Sequence, residues 1–158
     1  MKTRHLKFQT DLPLPLAEAW DFFSSPHNLL KITPPAMKLM LLTDIAPGTK
    51  TYQGMLISYK VSPFFGIPVK WVSKITEVKE MEYFIDEQQS GPYALWQHQH
   101  HFKEIKGGVR ITDILTYAMP YGILGTLVDN LMVNKKLNDT FAYRDAEVKK
   151  LFGILKAK

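Results

Sequence analysis

The chain has no cysteine among its 158 residues. That excludes disulfides, thiolate nucleophiles and cysteine-ligated metal, and leaves nothing to argue for secretion, so a reducing cytoplasm is the expected compartment. It also lacks any apolar run approaching the roughly 18 residues that span a bilayer, and MKTRHLKFQT has no apolar stretch of the signal-peptide kind. No integral membrane association is expected. No repeat, low-complexity tract or linker is visible, and this length reads as one domain over 1–158. Neither sign of charge dominates locally: 20 Lys and Arg are mixed with 15 Asp and Glu, for a net charge of +5. The one dense basic group is Lys149, Lys150, Lys156 and Lys158. With no basic stripe interleaved with aromatics, nucleic acid is not an expected partner.

What is present is 46% hydrophobic residues and 12% aromatics, enough for a large apolar interior. Residues 2–9 alternate with Leu6 and Phe8 on one side, an opening strand. Pro13 and Pro15 end it, and LAEAWDFFSS and HNLLKI then predict two short helices stopped by Pro26 and by Pro34-Pro35. A strand is expected from Met37 to Ile45, closed by Ala46-Pro47-Gly48. Further strands follow over 52–61, with Met55, Ile57, Tyr59 and Val61 on one face, and over 69–78, with Val69, Trp71, Ser73 and Ile75 on one face. SPFFGIP between them reads as a connection in which Phe64 and Phe65 either gate or cap the interior. Strands at 82–89, 94–102 and 109–119 come next. From Pro120 onward Leu124, Leu127, Leu131, Phe141, Val148 and Phe152 recur at helical steps, predicting one amphipathic helix of about 30 residues. Its apolar face is needed to cover the sheet, which removes a membrane-surface role.

Strands in runs, rather than alternating with helices, give an α+β fold with an antiparallel sheet, one face of which the long helix can cover. A gap between them would be a cavity. On these residues the chain resembles the START-like (SRPBCC) superfamily, the helix-grip fold of Bet v 1 allergens, lipid-transfer START domains and polyketide cyclases. The matching features include Ile32-Thr33-Pro34-Pro35, Phe65-Gly66-Ile67-Pro68 before Trp71, Phe84-Ile85-Asp86-Glu87-Gln88 with Gly91-Pro92-Tyr93, the run Trp96 to Phe102, Asp113 with Tyr117, and Phe141-Ala142-Tyr143-Arg144. They are similar in particular to the bacterial ligand-binding branch described as polyketide cyclase/dehydrase or cell-division-inhibitor-like. The resemblance implies a curved sheet of about seven strands around the C-terminal helix. It also implies a cavity for a lipid, sterol-like or aromatic polyketide-like guest, without a cofactor.

Chemistry concentrates between Ala94 and Phe102. Alternation places Trp96, His98, His100 and Phe102 on one face and Leu95, Gln97, Gln99 and His101 on the other. The next strand offers Asp113, Leu115 and Tyr117. A turn centred on Lys106-Gly107 sets His100 opposite Asp113, whereas one on Gly107-Gly108 sets His98 opposite Tyr117. Four uses of this face stay open. The polar groups can form a self-satisfied network, or they can hold the polar end of a guest whose apolar walls include Met55, Ile57, Tyr59 and Trp71. His98 or His100, oriented by Asp113, can act as a general base in a cofactor-independent cyclase or dehydratase. Or His98, His100 and Asp113 can ligate a metal. The binding reading is preferred to catalysis, and it expects an internal void above about 300 Å³. Arg144 either meets a ligand carboxylate or phosphate, or pairs with Asp86 or Glu87. The methionines of 37–40 and Met132 fit either cavity lining or core.

Overall fold

A computed structural model describes residues 1–156, so Lys158 of the basic group lies outside the described residues. The opening strand β1 (Thr3–Leu12) is followed by two short helices, α1 (Leu16–Phe23) and α2 (Pro26–Lys31). Six strands come next: β2 (Met40–Leu41), β3 (Leu56–Phe64), β4 (Ile67–Lys79), β5 (Tyr83–Ser90), β6 (Leu95–Ile105) and β7 (Gly108–Ala118). They form one seven-stranded antiparallel sheet in the order β1-β7-β6-β5-β4-β3-β2. The expected α+β architecture is present, with β1 closing on the last strand and the rest meandering in chain order.

The alternation read from the sequence survives in burial. Met55, Ile57, Tyr59 and Val61 are buried on β3, as are Val109, Ile111, Leu115 and Tyr117 on β7. Two loops differ from expectation. Most of 37–45 is not strand: Pro35–Met37 makes a 3₁₀ turn, Lys38 adopts a left-handed conformation at φ 47°, and pairing is confined to Met40–Leu41. SPFFGIP is a tight hairpin rather than a connection. Phe64 pairs with Ile67 around Phe65 and Gly66, both at positive φ, the geometry that suits the right-handed twist of the flanking strands.

Two registers position the site. Between β6 and β7, Ile105 pairs with Gly108, so Lys106-Gly107 is the turn centre and His100 stands opposite Asp113. Between β5 and β6, Asp86 stands opposite His98 and Phe84 opposite His100.

The C-terminal helix runs through α3 (Gly122–Val128), a π-helical segment (Asp129–Val133) and α4 (Asn134–Phe152). Its length matches the expectation and so does its stripe at Phe141 and Val148, but the first half differs. Leu124, Leu127 and Leu131 are exposed, at 70%, 54% and 68%, whereas the inward stripe runs through Gly125, Asp129, Val133, Leu137, Phe141 and Val148. The physical reason is Asp129. Buried in the fold, it accepts hydrogen bonds from the Tyr117 hydroxyl at 2.7 Å and from Arg4 Nε at 2.7 Å, so a charged anchor occupies the face that an apolar count assigns to leucine. Burial, reinforced by the bond it donates to Asp129, pushes the Tyr117 hydroxyl up to about 12. The apolar face covers the sheet from Val133 through α4, and the earlier part of the helix leaves its leucines in solvent. No described helix is long and apolar enough to cross a membrane.

Gly108, opposite Ile105, lies where a β-carbon would collide with the Leu12 carbonyl oxygen. Gly108→Ala is therefore expected to lower the unfolding free energy by about 1–3 kcal/mol in chemical denaturation. A loss under about 0.5 kcal/mol would mean that β1 does not approach the β6–β7 turn this closely.

Candidate functional site

Between the inner face of the sheet and α4 lies a cavity of about 190 Å³. This is smaller than expected, falling below the roughly 300 Å³ at the low end of ordinary ligand sites. Ile57 and Tyr59 of β3, Trp71 of β4, Trp96, His98 and His100 of β6 and Arg144 of α4 line it. Met55, Phe102, Asp113 and Tyr117 do not. Met55 and Phe102 are core residues, Phe102 packing against Trp20 at 5.2 Å, and Tyr117 is spent on Asp129. Phe64 lines the cavity while Phe65 is exposed; Met37 lines it while Met40 is exposed.

Asp113 sits against the histidines. His98 Nε2 lies 2.8 Å from Asp113 Oδ1, and His100 Nε2 lies 2.8 Å from Asp86 Oδ2. These bonds run diagonally across the strands. The directly opposed pairs are looser, with His98 Nδ1 at 3.9 Å from Asp86 and His100 Nδ1 at 3.4 Å from Asp113. The two imidazole centroids lie 3.7 Å apart with the rings tilted by 36°, and His100 stacks on the Phe84 ring at 4.1 Å. Two carboxylates and two imidazoles thus form a closed ring spanning three strands, in which every imidazole nitrogen faces a carboxylate.

Asp86 is the member that sequence reasoning missed, although its parity with the core residue Phe84 on β5 was a readable signal. Tyr93 was missed as well. The Gln88 side chain holds its backbone through two bonds, donating to Tyr93 O at 2.8 Å and accepting from Tyr93 N at 3.2 Å. Tyr93 thereby joins Trp71 and Trp96, at 5.5 Å and 4.7 Å, in an aromatic wall. His101 points to the other face, bonding Gln99 at 2.9 Å. Arg144 makes no direct ion pair with Asp86 or Glu87; its guanidinium lies 4.9 Å above the Phe141 ring, in the field of Asp86 and Asp113.

For a cation, the three groups that converge are Asp86, His98 and His100, with ligand atoms within 4.8 Å of one another. A metal there would displace the bond between His100 and Asp86 and face the positive charge of Arg144.

No protein-family model matches the chain, and no curated protein matches it in sequence. Solved structures do. A protein from Chromobacterium violaceum superposes with a TM-score of 0.71 at 9% identity, over 94% of this chain and 96% of that one. Ginseng major latex-like protein 151 from Panax ginseng gives 0.68 at 15%, over 95% and 97%. This is the Bet v 1-like helix-grip fold. A protein from Mycobacterium smegmatis shares the helix-grip fold at a TM-score of 0.64 and 16% identity, over 96% and 98%. At such identities the likeness is one of fold.

Within this helix-grip frame the ring splits its two histidines. Burial, and then the charge of His100, hold the His98 pKa down against the pull of Asp113. For His100 burial acts downward too, but hydrogen bonds to Asp113 and Asp86 outweigh it and raise the pKa. Burial alone would raise both carboxyls, yet the bonds and charges of His100 and His98 together outweigh it and keep Asp86 and Asp113 below the ordinary carboxylate range. The favoured state has His100 protonated and His98 neutral.

His100 therefore contributes stability that is present below the unfolded value of about 6.5 and is lost as pH rises through its higher folded value. The depressed carboxyls contribute above about pH 4 and lose their contribution on acidification, while the depressed His98 also makes acid unfavourable below about 6.5. Imidazole ¹⁵N NMR should find His100 titrating above about 6.5 and His98 below it. Two superimposed titrations near 6.5 would contradict the ring as described.

Proposed function

We propose that this protein binds a compact, mostly apolar small molecule in the cavity between sheet and helix, as a carrier, sensor or sequestering protein without catalysis. The observation that carries the reading is a void of about 190 Å³ with aromatic and aliphatic walls and a charged ring on one side. Protein interiors close-pack by default, so a void of this size beside buried charges is a cost that occupancy by a guest would offset. The volume limits the guest. An apolar cavity of about 150 Å³ holds benzene, so this one suits a single substituted ring or its equivalent. A sterol or long-chain lipid exceeds it.

The alternative, a cyclase or dehydratase with His98 or His100 as general base, is less well supported. Both His100 nitrogens lie within 3.4 Å of a carboxylate, so only His98 Nδ1, 3.9 Å from Asp86, is left free to act as a base.

The test is binding of p-cresol against a sterol, read by calorimetry, with native mass spectrometry of protein from its own host to detect any retained molecule. Saturable binding of p-cresol, absent for the sterol and lost when Ile57→Phe fills the cavity, is the expected result. Retention of a sterol-sized molecule, or binding unchanged in Ile57→Phe, would sink the reading.

A further inference from the structure

Among the described residues, two buried side-chain polar atoms have no hydrogen-bond partner, Nε of Arg144 and Oγ1 of Thr51. Both residues line the cavity. Elsewhere buried polar groups are met: Ser24 and Thr33 bond carbonyls one turn back at 2.5 and 2.7 Å, Asp129 is held by Tyr117 and Arg4, and each imidazole by a carboxylate. An unmet buried donor costs its full desolvation, so unpaired atoms confined to one cavity mark what belongs inside it.

Arg144 is the more demanding of the two. Its guanidinium stays charged and presents a rigid fork of donors that matches a carboxylate. Asp86 and Asp113 are near enough to feel, but neither reaches it, and each is already bonded to an imidazole. Their charge is therefore engaged before any guest arrives, and a guest oxygen is left to fill the fork. Thr51 is fixed independently, its backbone N–H donating to Ser24 O at 2.7 Å, so this cavity-lining residue does not trail on a loose loop.

We propose that the guest is an amphipathic organic acid. Its carboxylate, or a comparable oxyanion, accepts from Arg144; its apolar body lies against Trp71 and Trp96; and a second hydrogen-bonding group meets Thr51. This rests on the cavity-binding reading above and narrows its ligand class.

The probes are 4-hydroxyphenylacetate, its neutral carboxamide, and phenylacetate, titrated calorimetrically at about pH 7. The wild-type protein should bind the hydroxy-acid about tenfold or more tightly than the carboxamide, the worth of a hydrogen bond to a charged group. Arg144→Gln should erase that preference, Arg144→Lys should retain part of it, and Arg110→Gln, on the surface, should leave it unchanged. Thr51→Val should erase only the advantage of the hydroxy-acid over phenylacetate. Because the acid–amide comparison is made on the wild type, it stands even if Arg144→Gln fails to fold. Equal affinity for acid and amide overturns the proposal and leaves the cavity reading intact, as would be the case if water satisfies Arg144. Binding of p-cresol with none of the three probes also overturns it. Failure of p-cresol and all three probes removes the cavity reading itself.

Discussion

Asp86, His98, His100 and Asp113 bring two carboxylates and two imidazoles out of water together, and much of the interior follows from keeping them paired. The four come from β5, β6 and β7, so the ring exists only if all three strands hold their register at once. A slip of one residue turns the histidines outward; a slip of two leaves a carboxylate buried beside an apolar neighbour, far costlier than a misplaced methyl group. The ring thus specifies strand pairing more sharply than apolar alternation can, since Ile111 and Leu115 exchange places at little cost in burial. It also limits packing. Side chains that would close the cavity from this side must cover charged groups, and Arg144, arriving from α4, brings a charge of its own rather than an apolar lid.

The parts legible in the sequence were those governed by short-range periodicity. Inward faces of β3, β4, β6 and β7 follow from alternation, because one side of each strand meets a core and the other meets water. The register of the β6–β7 hairpin was narrowed to two but not chosen, since either turn centre places a glycine where positive φ is required. Asp86 was missed as a ring member because it was weighed as an ion-pair partner for Arg144 rather than by its parity with Phe84. The lengths of 37–45 and of the β3–β4 hairpin were misjudged where single left-handed residues, Lys38 and Phe65, redirect the chain without a sequence marker as plain as glycine. Cavity volume has no local signal at all, being the space that many side chains jointly fail to fill.

The two halves of the C-terminal helix answer to different forces. Along α4, Leu137, Phe141 and Val148 bury apolar area, and Phe141 stacks on Phe8 at 4.1 Å. Along α3 and the π segment the hold combines a buried carboxylate bonded to Tyr117 and Arg4 with one buried apolar residue, Val133. Hydrophobic burial is diffuse and tolerates small displacements, whereas a hydrogen-bonded charge is localised and directional. The helix is continuous in backbone but not in what fixes it.

Pro63, Phe64 and Lys136 border both the cavity and an external groove formed with Phe65, Leu131 and Met132. Inside and outside meet there at the tip of one hairpin and the stretch of helix that follows the polar anchor at Asp129. These three residues belong to both surfaces, whereas no residue of the ring borders the groove. A guest that entered through this seam would exchange at a rate set by local opening there, uncoupled from global unfolding. Substitutions around Phe65 and Leu131 would accordingly alter how fast a guest comes and goes, and leave how tightly the chain folds nearly untouched.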